Sequence, residues 1–223
     1  MNLIYCIKKY APKASLIYPE MNKSNSIIMD FSVNNQRLKK VDLTNTLVFN
    51  NYVESILLES KALYGIGGYK EHREIYKRSN HFDEKEESRC IHLGVDVWTK
   101  AGTPIHAPFD GVIHSFKNNN NYGDYGPTII LEHNIENCTF FTLYGHLDPN
   151  DLNRFHKGQI IKASQIIGLT GDFPDNGNWP PHLHFQLIDK LEGAEGDYPG
   201  VCTIKESDQY FKNCPDPSLF FAF

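Results

Sequence analysis

From Ile91 onward the chain alternates short apolar, β-branched runs with turn residues, and no helix-period segment interrupts the series. GVIHSF, PTIILEH, TFFTLYGH, GQIIKA, QIIGLTG and HLHFQLI each have strand length, with Gly, Asn, Asp or Pro between them. Strands of this kind are stable only when one face of each is buried against another layer. The pattern therefore predicts a mainly β domain over residues 89–190, an antiparallel two-sheet sandwich or partly open barrel.

The flanks read differently. Residues 1–88 are expected to be a small α+β extension, with a soft boundary near Ser88. SIIMDFSV (Ser26 to Val33) predicts a strand, and Val48, Tyr52, Val53, Ile56 and Leu57 recur at helical spacing behind the candidate caps Thr44 and Asn45. Gly65, Gly67 and Gly68 then break the helical pattern, and the hydrophilic stretch from Lys70 to Ser88, ending in DEKEES, reads as a solvated connection. Within it, Glu71, His72 and Arg73 read as a solvated face; the alternative is an arm that contacts substrate or covers a groove. Residues 191–223 are expected to be an irregular tail packed on the sheet, because Phe211, Phe220, Phe221 and Phe223 would be costly to leave in water.

A chain of 223 residues, 40% of them hydrophobic, can bury a core without staples, so a metal would serve chemistry rather than folding. The net charge of −5 and the absence of a basic run exclude nucleic acid as an expected partner. No stretch approaches the ~20 apolar residues of a membrane span, and Lys8, Lys9 and Lys13 stand where a signal peptide would be apolar. The nominal location is cytoplasmic, with the periplasm or envelope open to a truncated gene start or a nonstandard export route. Five cysteines without a Cys-x-x-Cys pair offer no zinc ribbon and no thioredoxin motif. Cys202 and Cys214 are expected to be free thiols, a bridge in an oxidising compartment being the alternative, and Cys138 is expected in the core.

Among ten histidines, three places could gather side chains round one point. His92 and Asp96 lie four apart, and Gly94 with β-branched Val95 and Val97 disfavours a helix between them, so a turn leading into a strand would bring both to one ion. His182 and His184 have the period-two spacing that puts both imidazoles on one side of a strand. His146, ending the run from Thr142, could reach the same site from a neighbouring strand. Two neutral imidazoles and one carboxylate leave an open position on a tetrahedral zinc, where the pKa of water falls from about 15.7 towards about 7. Two further histidines beside it would move protons and hydrogen-bond a developing oxyanion, which together describe hydrolysis of an amide. His106, His114, His133 and His156 stay open as alternatives, and His72 and His81 belong to the polar N-terminal connection.

HLGVDVW (His92 to Trp98), GTPIHAPFDGVI (Gly102 to Ile113), YGHL (Tyr144 to Leu147), KGQIIKASQIIGLTG (Lys157 to Gly171) and PPHLHFQL (Pro180 to Leu187) resemble, in order, the motifs of the lysostaphin-type zinc metalloendopeptidases. The resemblance covers roughly Ile91 to Ile188. It implies a duplicated hybrid motif type of β fold with a groove over the metal. It also implies a zinc ion held by His92, Asp96 and His184, with His146 and His182 as catalytic histidines. The implied activity is cleavage of peptide bonds in peptidoglycan stem peptides or cross-bridges. Two departures from the family pattern, GDYGPTIILEH and the Trp179 and prolines of NGNWPPHLHF, predict a remodelled groove. Two other functions compete: an idle wall-binding or regulatory module of the same fold, and a phosphoryl or biotinyl-type carrier domain, which GTPIHAPFDGVI also resembles. Asp96, four residues after His92, has no use in a carrier.

Overall fold

The structure is a computed structural model that describes residues 3–78 and 87–221; His81, Phe223 and most of the DEKEES run lie outside the described residues. In chain order the main elements are α1 (Leu3–Tyr10), β1 (Ser26–Met29), α2 (Thr46–Glu59), β2 (Tyr64–Gly67), β3 (Ile91–His92), β4 (Val95–Trp98) and β5 (Pro104–His106). They continue with β6 (Gly111–Asn119), β7 (Gly126–Ile135), β8 (Cys138–Gly145), β9 (Ile160–Ile161), β10 (Ile166–Leu169), β11 (His182–Ile188), β12 (Val201–Cys202) and α3 (Ser207–Asn213). The chain is mainly β, as its alternating segments predict. Eight strands form one sheet in the order β1-β2-β4-β11-β8-β7-β6-β9, and β5–β10 and β3–β12 form two small ribbons. All pairs are antiparallel except β1 with β2, which is parallel.

All seven residues of β11 are buried, because this strand lies between β4 and β8 with both faces covered. Leu183, Phe185 and Leu187 enter the main core, where they join Val95 and Val97 of β4, Ile129 and Leu131 of β7 and Tyr144 of β8. His182, His184 and Gln186 alternate with them and face the other way, as a pleat requires. The core is closed from outside the strands. The amphipathic α1 contributes Leu3, Cys6 and Ile7, while Phe220 packs edge-on against Phe109 at 5.6 Å and Phe185 at 5.7 Å. Burying such a ring is worth roughly 1.5–3 kcal/mol, which explains why the tail returns to the sheet.

The α2 helix forms where its period predicts it, with the Asn45 side chain accepting a hydrogen bond from the Val48 backbone N–H at 3.2 Å. The flanks nevertheless hold more order than their sequence suggests. The N-terminal segment has a second helix, α1, and a second strand, β2, built from the very glycines that seemed to end the helical pattern. Close packing explains them: a Cβ on Gly65 would lie 2.1 Å from the Met29 sulfur, and one on Gly67 would lie 2.7 Å from the Arg73 guanidinium. The C-terminal segment is not wholly irregular, since β12 and α3 lie within it. Lys70 onward is not a purely solvated connection either. Arg73, Ile75, Tyr76 and Arg78 are buried, whereas His72 is exposed.

Cys202 and Cys214 are free, buried thiols, and Cys138 is in the core. His133, one of the alternative site histidines, lies within the sheet, with Nδ1 donating to the Asp110 carbonyl at 2.9 Å and Nε2 facing the Thr142 hydroxyl at 2.8 Å. Burial pushes its pKa down to about 4. Unfolded His133 would take up a proton near pH 6.5 and the folded ring only near 4, so the unfolded chain binds more protons between these values and stability falls as pH drops through that window. Urea unfolding at pH 7 and pH 4 should therefore show the wild type losing up to about 3 kcal/mol relative to His133→Gln. An unchanged difference between the two proteins would contradict this.

Candidate metal centre

The register of β4 against β11 builds the site. His184 stands opposite Asp96, and His182 stands opposite Trp98. Cross-strand partners on one face are immediate neighbours, so the carboxylate meets one imidazole while the Trp98 indole stacks on the other, at 4.0 Å between ring centres. His92 comes from β3, and the chain turns through Leu93 and Gly94 to return as β4. That short turn brings His92 Nε2 to 3.2 Å from Asp96 Oδ1 and 3.1 Å from His184 Nδ1, while Asp96 Oδ1 and His184 Nδ1 are also 3.1 Å apart.

Three donor atoms thus form a nearly equilateral triangle. Zinc–nitrogen bonds of about 2.0–2.1 Å at tetrahedral angles would separate ligand atoms by about 3.3 Å. The side chains therefore stand within a few tenths of an ångström of what such an ion needs. All three residues are buried, and they are the one group of metal-type donors found among the described residues.

Each imidazole is oriented through its other nitrogen. His92 Nδ1 lies 2.9 Å from the Gly68 carbonyl and His184 Nε2 3.0 Å from Gln186 Oε1, so both donate there and leave the triangle nitrogen with its lone pair. Gln186 is itself held by donating to the Pro199 carbonyl and the Cys214 sulfur, which fixes its amide with the oxygen towards His184. The Asp96 Oδ2 atom accepts from Arg73 at 2.5 Å.

His146 and His182 lie beside the triangle, their rings 4.2 Å apart. Their Nδ1 atoms donate to the carbonyls of Asn176 and Pro180, each at 2.8 Å, leaving Nε2 as the proton-accepting atom. His146 follows the last residue of β8 with φ of +61°, a left-handed conformation unusual for a residue with a side chain and often found at functional sites. Burial pushes His182 down to about 4, and burial with the neighbouring His182 ring holds His146 well below the ordinary histidine value. Burial and the Arg73 charge push His92 down to about 4. Burial alone would raise the Asp96 carboxyl, but the His92 ring and the Arg73 guanidinium outweigh it and hold it well below the usual carboxylate range. At neutral pH, His92, His146 and His182 are therefore neutral and Asp96 is charged.

His146, His182 and His184 open on a cavity of about 350 Å³ that is also lined by Asp96, Tyr76, Tyr125, Trp179 and Tyr198. Tyr125 and Trp179 belong to the two segments that depart from the family pattern, so both departures reach the groove. The structure brings together His92, Asp96, His146, His182 and His184. His106, His114, His133 and His156 are elsewhere: His106 approaches the Ile17 carbonyl, His114 packs on Phe141, His133 is inside the sheet, and His156 is exposed. The sequence pattern gives Gln186 and Tyr76 no role, reads Arg73 as part of a solvated face, and marks Tyr125 only through the departing segment GDYGPTIILEH. Gln186 did carry a signal, being two residues beyond His184 on the same face of the strand.

Residues 90–195, just under half of the chain, match the model of Peptidase family M23. It is 33% identical over 97 residues to the Peptidoglycan DD-endopeptidase ShyA of Vibrio cholerae, covering 44% of this chain and 20% of that protein. It is 32% identical over 108 residues to an uncharacterized metalloprotease of Buchnera aphidicola, covering 48% of this chain and 26% of the relative. The chain therefore spans a fifth to a quarter of the length of these relatives. Among solved structures, a zinc containing peptidase from Vibrio cholerae is 31% identical with a TM-score of 0.36, covering 44% of this chain and 27% of that one. The catalytic domain of lysostaphin from Staphylococcus simulans is 25% identical with a TM-score of 0.37, covering 54% and 80%. The family and its metalloprotease relative imply a metal, and the His92–Asp96–His184 group has the donors for one.

Gly94 shows how tightly the triangle is built. A Cβ there would lie 2.6 Å from the Phe185 carbonyl oxygen and 2.8 Å from the His184 ring. Gly94→Ala is expected to displace His184 and to cost about 1–3 kcal/mol by overpacking, read from the urea midpoint; a neutral substitution would show that the turn is looser than described.

Proposed function

We propose that the chain is a zinc-dependent metalloendopeptidase acting on peptide bonds of peptidoglycan stem peptides or cross-bridges. The donor triangle of His92 Nε2, Asp96 Oδ1 and His184 Nδ1, beside two further neutral histidines, carries this reading. Similarity to a peptidoglycan endopeptidase supports the substrate class. Zinc suits the donors, since two imidazoles and one carboxylate with a fourth direction open make a catalytic rather than a structural set. When bound, zinc supplies a Lewis acid and lowers the pKa of water towards about 7.

The protein's own groups perform the proton transfers. With Nδ1 committed to a backbone carbonyl, the Nε2 atoms of His146 and His182 can each hold a proton taken from water. Once protonated, either becomes a donor to the oxyanion that develops on the scissile carbonyl, and then to the leaving amine. The Trp98 indole fixes the plane of His182 by stacking, and Tyr76, Tyr125, Trp179 and Tyr198 line the cavity in which the amide would lie.

Three measurements test the proposal. Purified protein should bind one zinc per chain, and His184→Ala should lose the metal and the activity together. His182→Asn should retain the metal while kcat falls by about 10²–10⁴-fold. Peptidoglycan fragments incubated with the zinc-loaded protein should show new amino termini by mass spectrometry; a zinc-loaded sample that produces none would leave an idle module of the same fold.

A further inference from the structure

We propose that Arg73, supplied by the N-terminal segment outside the M23 match, is a positioning residue of the metal centre that holds Asp96 as a one-oxygen donor. This rests on the reading of His92, Asp96 and His184 as metal ligands. Asp96 has two carboxylate oxygens, and their neighbours differ. Oδ1 faces the two imidazole nitrogens, whereas Oδ2 accepts from Arg73 NH1 at 2.5 Å. A carboxylate with both oxygens free can close on a metal in bidentate fashion and occupy the position that a substrate needs. Arg73 removes that option.

The guanidinium can do this because it is held from behind. Arg73 Nε donates to Glu71 Oε2 at 2.6 Å, its NH1 also reaches the Tyr76 hydroxyl at 3.2 Å, and Glu71 Oε1 accepts from the Phe31 backbone N–H at 3.0 Å. The Arg73 side chain is fully buried, and Gly67 leaves the room it occupies. A planar fork can bridge two carboxylates at fixed angles, which a lysine ammonium cannot reproduce. The same segment orients a second member of the triangle, because the Gly68 carbonyl accepts from His92 Nδ1. Two of the three ligands are thus oriented by residues that precede the matched domain. The Glu71–Arg73 pair, which reads in the sequence as a solvated face, is here a support behind the metal.

The test compares wild type, Arg73→Gln, Arg73→Lys and Glu71→Gln as full-length chains. Zinc affinity is measured by chelator competition, and the visible spectrum of the cobalt-substituted protein is recorded. Thermal melts of the metal-free proteins identify which variants fold. Zinc affinity is expected to fall about 10–100-fold in Arg73→Gln and Arg73→Lys. The cobalt d–d absorption should weaken as Asp96 swings to two-oxygen coordination and the coordination number rises. Glu71→Gln should show a smaller loss of the same kind. Arg73→Lys keeps the buried charge and carries the comparison if the neutral variant does not fold. A folded Arg73 variant with wild-type zinc affinity and an unchanged cobalt spectrum overturns the proposal while leaving the metal site standing. Wild-type protein that binds no zinc overturns both.

Discussion

The antiparallel pairing of β4 with β11 sets Asp96 against His184 and Trp98 against His182, and the rest of the site is arranged around these two contacts. Strand side chains alternate with a period of two, so a slip of one residue would turn Asp96, His182 and His184 into the core and Leu183 and Phe185 into the cavity. The apolar face of β11 prevents that slip. Leu183, Phe185 and Leu187 are fully buried against β4, β7 and β8, and exposing them would cost several times what any one contact at the polar face contributes. The hydrophobic core thereby enforces a geometry at the opposite face that its own groups would resist, since buried imidazoles and a buried carboxylate are expensive without partners.

Partners are supplied almost entirely by groups with no reactive chemistry of their own. Carbonyls of Gly68, Asn176 and Pro180 and the amide of Gln186 each accept one imidazole N–H, so four rings are fixed in tautomer and direction. The sheet alone could not achieve this, because strand pairing already consumes most of its backbone groups. The acceptors come from a turn after β2, from the loop before β11 and from β11 itself. Segments on either side of the M23 match participate too, Gly68 and Arg73 before it and Cys214 after it, through Gln186.

Much of the strand layout could be read from alternation and turn residues, and the helix at Thr46–Glu59 from its spacing and Asn45 cap. The five residues that meet at the site could also be read, four of them because HxxxD and HxH are short-range patterns whose consequences depend on local backbone type, and His146 because it ends a strand-like run. Arg73 could not. In the sequence it sits between charged neighbours in a hydrophilic stretch, and only the approach of β2 to β4, with Gly67 opposite Asp96, carries it into the interior. Tyr125 and Trp179 were marked as departures from a pattern, yet their place on the cavity wall depends on loops packing across the sheet. His133 shows the converse, since a histidine near the end of a strand-like run is buried inside the sheet by the Asp110 carbonyl and the Thr142 hydroxyl.

By itself the amino-acid order determined which side chains share a face, where the chain turns, and that two imidazoles and a carboxylate would be available together; these follow from backbone periodicity, which acts over a few residues. Tertiary structure alone decided which oxygen of Asp96 faces the triangle, which nitrogen of each histidine carries its proton, and that the N-terminal segment stands behind the centre. Those outcomes depend on contacts between residues as far apart as Arg73 and Asp96 or Gln186 and Cys214, where the distance in space is set by packing and not by position along the chain.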